Sequence, residues 1–203
     1  MLTKNFNGFF HSDTKTRDKF LSRLFGIFNE EIVRIWCHTN ESKYVDLGRP
    51  TVKLKRENEV NKRGRTFDYT FEHKESKHLF IGECKCWLEY EDYKYLKLDN
   101  AKQLDGYHGE SFTLFKNFRK ESDKYEVKVN NIPKTIDGMI LIWGAVNESK
   151  KQDIISTYGF EDILSLENII SELIYTQNAE YADFIQEKSI WCEELFGYLL
   201  QAE

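Results

Sequence analysis

Arg65-Thr-Phe-Asp68-Tyr-Thr-Phe71 and Leu79-Phe-Ile-Gly-Glu83-Cys-Lys85-Cys-Trp87 decide how this chain is read. Both runs are apolar, aromatic-rich and strand-like, and the polar link His73-Lys-Glu-Ser-Lys77 between them is short enough for an antiparallel hairpin. Each run carries charge among residues expected to be buried. An isolated charge loses most of its hydration in such a place, so these groups are normally paired or hold a metal. Strand side chains alternate between faces, which sends Glu83 and Lys85 one way and Cys84 and Cys86 the other. With the hairpin in register, Asp68 reaches the side of Glu83 and Lys85. Gly82 leaves room beside Glu83 for a ligand or another backbone to approach. Two converging carboxylates suit a hard divalent cation, and a lysine one strand step away suits a phosphate oxygen or an attacking water. The plainer alternative is a cross-strand ion pair on an exposed sheet face.

Working outward, residues from Thr16 to about Cys37 are expected to form an amphipathic helix, capped by Ser12, Asp13 or Thr14. Its apolar stripe runs through Phe20, Leu24, Ile27, Phe28 and Ile35, widened by Leu21, Phe25, Ile32 and Trp36. Glu31 follows Phe20 by about three turns and so falls on the inward stripe, with Glu30 on the polar side. Otherwise Glu31 is a helix-end residue paired with Arg34 or Lys43. Residues 43–56 read as extended chain turned at Gly48-Arg-Pro50, and Asn61-Lys-Arg-Gly64 as a second turn. Strands are expected over Arg65–Glu72 and His78–Trp87, then a helix from Asp92 to about His108. Phe112–Arg119 either continues that helix or stands alone. Tyr125–Val129 has strand character, and Gly138-Met-Ile-Leu-Ile-Trp-Gly-Ala-Val146 is the continuous apolar run of a strand covered on both faces. Two helices, about Phe160–Tyr175 and Asn178–Leu200, close the chain. The order predicts one α/β domain over residues 1–203, with a mixed central β-sheet flanked by helices. Its core spans about residues 16–146, and a helical part follows over about 150–203.

An acid on one strand followed by Glu-x-Lys on the next resembles the PD-(D/E)XK nuclease superfamily. That group includes restriction endonucleases, Mrr-like enzymes, resolvases and RecB-type nucleases. The resemblance covers roughly Glu31 to Val146, although Phe67 stands where the motif has proline. Gln103-Leu-Asp-Gly-Tyr107 resembles the Gln-x-x-x-Tyr motif of RecB-type members, the alternative being a surface Gln beside a core Tyr. What the resemblance implies is a restriction-endonuclease-like αβββαβ core and a Mg²⁺-dependent DNA endonuclease of restriction or repair type, with Mn²⁺ able to substitute. Asp68, Glu83 and the backbone carbonyl of Cys84 would ligate the metal, and Glu31 would hold it through water or bind a second ion. Lys85 would orient the hydrolytic water, Gln103 would steady that water or Lys85, and Tyr107 would touch the nucleic-acid backbone. Without the cation these acids repel one another, so at least one should titrate high. The rival expectation is a nucleic-acid-binding or scaffold domain that keeps the fold and does no chemistry; intact Asp68, Glu83 and Lys85 favour the enzyme.

The bulk composition fits this reading without choosing it. Over 203 residues, 40% hydrophobic and 31% charged content describe a soluble globular chain, neither disordered nor membrane-embedded. No apolar run approaches the roughly 18 residues of a spanning helix, and the start Met1-Leu-Thr-Lys-Asn-Phe lacks a signal-peptide core. Cys37, Cys84, Cys86 and Cys192 form no CxxC pair, which predicts reduced thiols in a cytoplasmic protein. A net charge of −5 argues against non-specific coating of nucleic acid. Yet Arg49, Lys53, Lys55, Arg56, Lys62, Arg63 and Arg65 face only Glu57 and Glu59 across one stretch. That island is either a solvated loop or a DNA-backbone surface, with Arg49, Lys62, Arg63 and Arg65 as candidate contacts. The histidines show no metal spacing, the lack of a P-loop or GxGxxG predicts no nucleotide cofactor, and the lack of GxSxG argues against a serine nucleophile. The aromatic-rich C-terminal helix is explained by core packing or by a homodimer face.

Overall fold

The computed structural model describes residues 19–55, 64–86, 95–106 and 109–200. Its centre is a five-stranded mixed sheet in the order β1-β4-β5-β9-β11. β1 (Tyr44–Asp46), β4 (Tyr69–His73) and β5 (Leu79–Lys85) form an antiparallel meander, with Val45 opposite Glu72 and Phe71 opposite Phe80. The chain then crosses over through α2 (Glu110–Glu121) to β9 (Gly138–Trp143), which lies parallel to β5. β11 (Asp162–Ser165) adds parallel to β9. A parallel neighbour needs such a crossover, and α2 supplies it by burying Phe112, Phe115 and Phe118 on one face.

Helices cover both faces. α1 (Lys19–His38), α4 (Leu166–Tyr175) and the start of α5 (Ala179–Leu200) pack over Phe71, Phe80, Ile140 and Ile142. On the other side α2 and α3 (Glu148–Tyr158) pack over Ile81, Met139, Leu141 and Trp143. Alternation along β9 sends its residues into two cores, which is why every position of that strand is buried. The helix starts are set locally: Asn147 Oδ1 accepts from Ser149 N at 3.1 Å, and Ser165 Oγ accepts from Asn168 N at 3.4 Å. Gly159, at φ 71°, ends α3 in the left-handed conformation.

A second, antiparallel sheet of four strands has the order β3-β2-β7-β8. It comprises β2 (Pro50–Leu54), β3 (Arg65–Thr66), β7 (Tyr125–Val129) and β8 (Ile132–Lys134). β6 (Lys97–Leu98) and β10 (Ala145–Val146) form a short parallel pair. Among the described residues no helix is long and apolar enough to cross a membrane, and all four cysteines are free.

Several expectations are corrected. The helix expected over Asp92–His108 does not form in its described part. Tyr95–Leu98 is extended and pairs through β6 with β10, and Ala101–Leu104 makes a single 3₁₀ turn. The crossover helix is the separate piece at Glu110–Glu121. The segment read as one helix over Phe160–Tyr175 opens with β11, and α3 was not anticipated. The strand expected over Arg65–Glu72 breaks at Phe67-Asp68, its two halves joining different sheets. On α1 Ile32, Ile35 and Trp36 of the expected stripe are buried together with Asn29 and Val33, whereas Ile27 of that stripe is 72% exposed. The caps proposed at residues 12–14 lie outside the described residues, as do Lys62, Arg63 and Tyr107.

Candidate active site

Asp68 occupies the break between β3 and β4, where the chain passes from one sheet to the other. There its carboxylate ties the break onto β5: Oδ2 accepts the Cys84 backbone N–H at 2.9 Å. Alternation along β5 places Glu83 and Lys85 together on the side of α2, and the Lys85 ammonium donates to Glu83 Oε1. Lys85 Nζ also lies 5.9 Å from the centre of the Phe112 ring on α2. Cys84 and Cys86 turn to the α1 side, their sulfurs 3.5 Å apart within the other core. Asp68, Glu83 and Lys85 therefore converge.

Burial sets the electrostatics. Glu83 is 4% exposed, and its Oε2 has no hydrogen-bond partner among the described residues. Burial pushes its carboxyl up to about 7; the Lys85 ammonium pulls it down, and the Asp68 charge pushes it up again. Burial works to lower the Lys85 pKa, but the Glu83 charge and hydrogen bond raise it further, so the lysine stays protonated at neutral pH.

The third acid is Glu30, not Glu31. Glu30, with its side chain 24% exposed, feels the Asp68 charge; its carboxyl is raised by burial and then by Asp68, against Arg49 and Arg34. Glu31 lies 47% exposed and pairs with Arg34 at 3.2 Å, the plainer of its two expected fates. The phase of α1 decides this. With Asn29 and Trp36 at the centre of the buried face, Glu30 flanks that face and Glu31 points away. Buried Asn29 was a missed signal: it accepts from Tyr95 OH at 2.6 Å and donates to the Cys86 carbonyl at 3.4 Å, locking α1 to the end of β5.

Of the basic island, Arg49 reaches the site. Its Nη2 lies 3.2 Å from Asp68 Oδ1 and 4.0 Å from Glu30 Oε2, and its Nε donates to the Phe67 carbonyl at 3.4 Å. Arg65 instead pairs with Glu110 on an exposed edge. Gln103 is committed to its own turn: Oε1 accepts from Asp99 N at 2.6 Å and Asn100 N at 2.9 Å, and Nε2 donates to the Lys97 carbonyl at 2.8 Å. The room expected beside Gly82 is filled by Phe71 and Tyr69 on the α1 side, away from the carboxylates.

No group of three or more His, Cys, Asp or Glu side chains among the described residues is arranged to hold a metal ion. What converges is a carboxylate pair, one oxygen of which is buried without a partner. That donor set fits Mg²⁺, which commonly takes one or two carboxylates and fills its remaining positions with water and substrate oxygens. Comparison with protein-family models, with curated proteins and with solved structures finds no match for this chain.

Proposed function

We propose that this chain is a Mg²⁺-dependent DNA endonuclease of the PD-(D/E)XK type. The observation that carries the reading is the meeting of Asp68, Glu83 and Lys85 at the buried end of β5, with Asp68 on the Cys84 N–H and Lys85 on Glu83 Oε1. The order of a helix, an antiparallel meander, a crossover helix and a parallel strand supports it, being the arrangement a restriction-endonuclease-like core requires.

Asp68, Glu83 and the Cys84 carbonyl would hold the cation, with Glu30 as the outer acid. Bound Mg²⁺ would supply Lewis-acid stabilisation of the phosphate and a more acidic water. Lys85, held charged by Glu83, donates a hydrogen bond to the hydrolytic water or to a phosphate oxygen and offsets the charge that develops there. Water adds to phosphorus and the P–O3′ bond breaks, leaving a 5′-phosphate and a 3′-hydroxyl. Arg49, half-exposed beside Asp68, is placed to meet the phosphate backbone.

A second reading, a binding domain without chemistry, draws on the pairing of both carboxylates with cationic side chains. Plasmid nicking separates the two. The expected result is cleavage with Mg²⁺ or Mn²⁺, none with EDTA, and a loss of at least about 100-fold in Lys85→Ala with DNA affinity retained. Failure to cut several forms of DNA with either metal would favour the binding domain. A large affinity loss with residual cutting in Lys85→Ala would remove the role given to that lysine.

A further inference from the structure

We propose that Arg49 is an internal counter-cation that masks Asp68 until a phosphate group draws it away, so that metal and nucleic acid bind cooperatively. The inference rests on the nuclease reading and concerns how its site is kept closed. Asp68 has its Oδ2 bound to the Cys84 N–H and its Oδ1 on the Arg49 guanidinium at 3.2 Å. Both oxygens are thus occupied, and a cation approaching the pair meets a positive charge already seated on one of its ligands.

Arg49 differs from Lys85 in how it is held. Lys85 rises from the middle layer of the fold and its side chain is 25% exposed, whereas the Arg49 side chain is 53% exposed. Arg49 stands in the loop between β1 and β2. Gly48, at φ 101°, turns that loop, and Asp46 Oδ1 accepts the Gly48 N–H at 2.9 Å. The loop backbone is therefore fixed while the guanidinium reaches in from solvent. Asp68 is buried but the guanidinium it meets is half-exposed, so water and salt screen the pair from the Arg49 side and weaken it. A phosphodiester offers the guanidinium a two-pronged acceptor of matching geometry, which is the stronger partner. Transfer of Arg49 from Asp68 to phosphate releases Oδ1 at the moment substrate arrives. By linkage, nucleic acid then raises metal affinity and metal raises nucleic-acid affinity by the same factor.

The test is calorimetric titration with Mn²⁺. Arg49→Gln should bind Mn²⁺ about tenfold more tightly than wild type, the scale of one screened unit charge removed from within a few ångströms. Arg34→Gln should change affinity less, since Arg34 touches Glu30 and Asp46 but not Asp68. The titration is repeated with a short duplex in a Lys85→Ala background, so that the DNA is not consumed. Duplex should tighten Mn²⁺ binding there, and adding Arg49→Gln should remove most of that gain. Unchanged Mn²⁺ affinity in a folded Arg49→Gln protein, or an equal duplex-induced gain with and without Arg49, overturns the masking role and leaves the nuclease reading standing. Absence of Mn²⁺ binding in wild type and variant alike overturns both.

Discussion

At Glu83 the carboxyl is nearly sealed from water, shares one oxygen with Lys85 and leaves the other unpartnered. Its pKa is pushed up to about 7 from an ordinary 4.5, so between those values the folded chain holds a proton that the unfolded chain has released. Stability therefore falls as pH rises through that window and levels off above it, by up to about 3 kcal/mol. Urea unfolding from about pH 5 to about pH 8 should show this decline in wild type and a flatter profile in Glu83→Gln. A wild-type midpoint that holds constant across the window would contradict a buried, high-titrating Glu83. The high-titrating acid expected from the sequence is thus Glu83, with burial as the first cause and the Asp68 charge a lesser one. Glu30 was not legible in the same way, because its position depends on the phase of α1. The stripe through Phe20 and Ile27 gives a different phase from the face the sheet covers.

Strand β5 carries two messages at once: on the α2 side Ile81 packs in the core and Glu83 and Lys85 meet at the candidate site, while its even-numbered positions face the core under α1. Gly82 belongs to the second set. A Cβ there would lie 3.0 Å from Phe71 Cδ2 and 3.0 Å from Tyr69 Cβ, within the stack these two rings make at 5.0 Å. Gly82→Ala should cost about 1–3 kcal/mol, measured by chemical denaturation, and Phe71→Leu in the same chain should recover part of it. A neutral Gly82→Ala would mean that the rings yield freely and that the glycine is not needed for packing. The hairpin, the β9 part of the Gly138–Val146 run and α5 were legible because their signals are local, whereas the end of that run breaks away at Gly144 and joins another sheet as β10. What escaped is non-local. Lys97–Leu98 is extended because β10, far along the chain, pairs with it, and no helix propensity announces that contact. β11 hides inside an apolar pattern that also suits a helix, and only the Ser165 cap separates it from α4. Gln103 looked like a site residue and closes a turn instead, its side chain saturated by backbone.

Across the whole molecule the two sheets are joined where the chain passes between them. One passage, from β1 to β2, carries Arg49, and another, from β3 to β4, carries Asp68. The candidate site is the meeting of these crossings with the end of β5, which explains why residues from such distant parts of the sequence reach one another. The four-stranded sheet then extends from Arg49 as a ledge. Its buried face holds Val52, Val127 and Val129, while Thr51 and Lys53 are exposed on the other, with Lys53 opposite Glu126 and Thr51 opposite Lys128. An acidic chain that binds a polyanion must do so through local cationic side chains, and the exposed Lys53 on this sheet lies in the strand that follows Arg49. If DNA runs along it, Lys53→Ala should weaken binding similarly for all sequences and reduce the slope of log K against log salt by about one. Lys188→Ala, on α5, should leave the slope unchanged. Fluorescence-anisotropy titrations at a series of salt concentrations read both. A Lys53→Ala protein with the wild-type slope would take DNA off the ledge and confine its contacts to the crossing that bears Arg49.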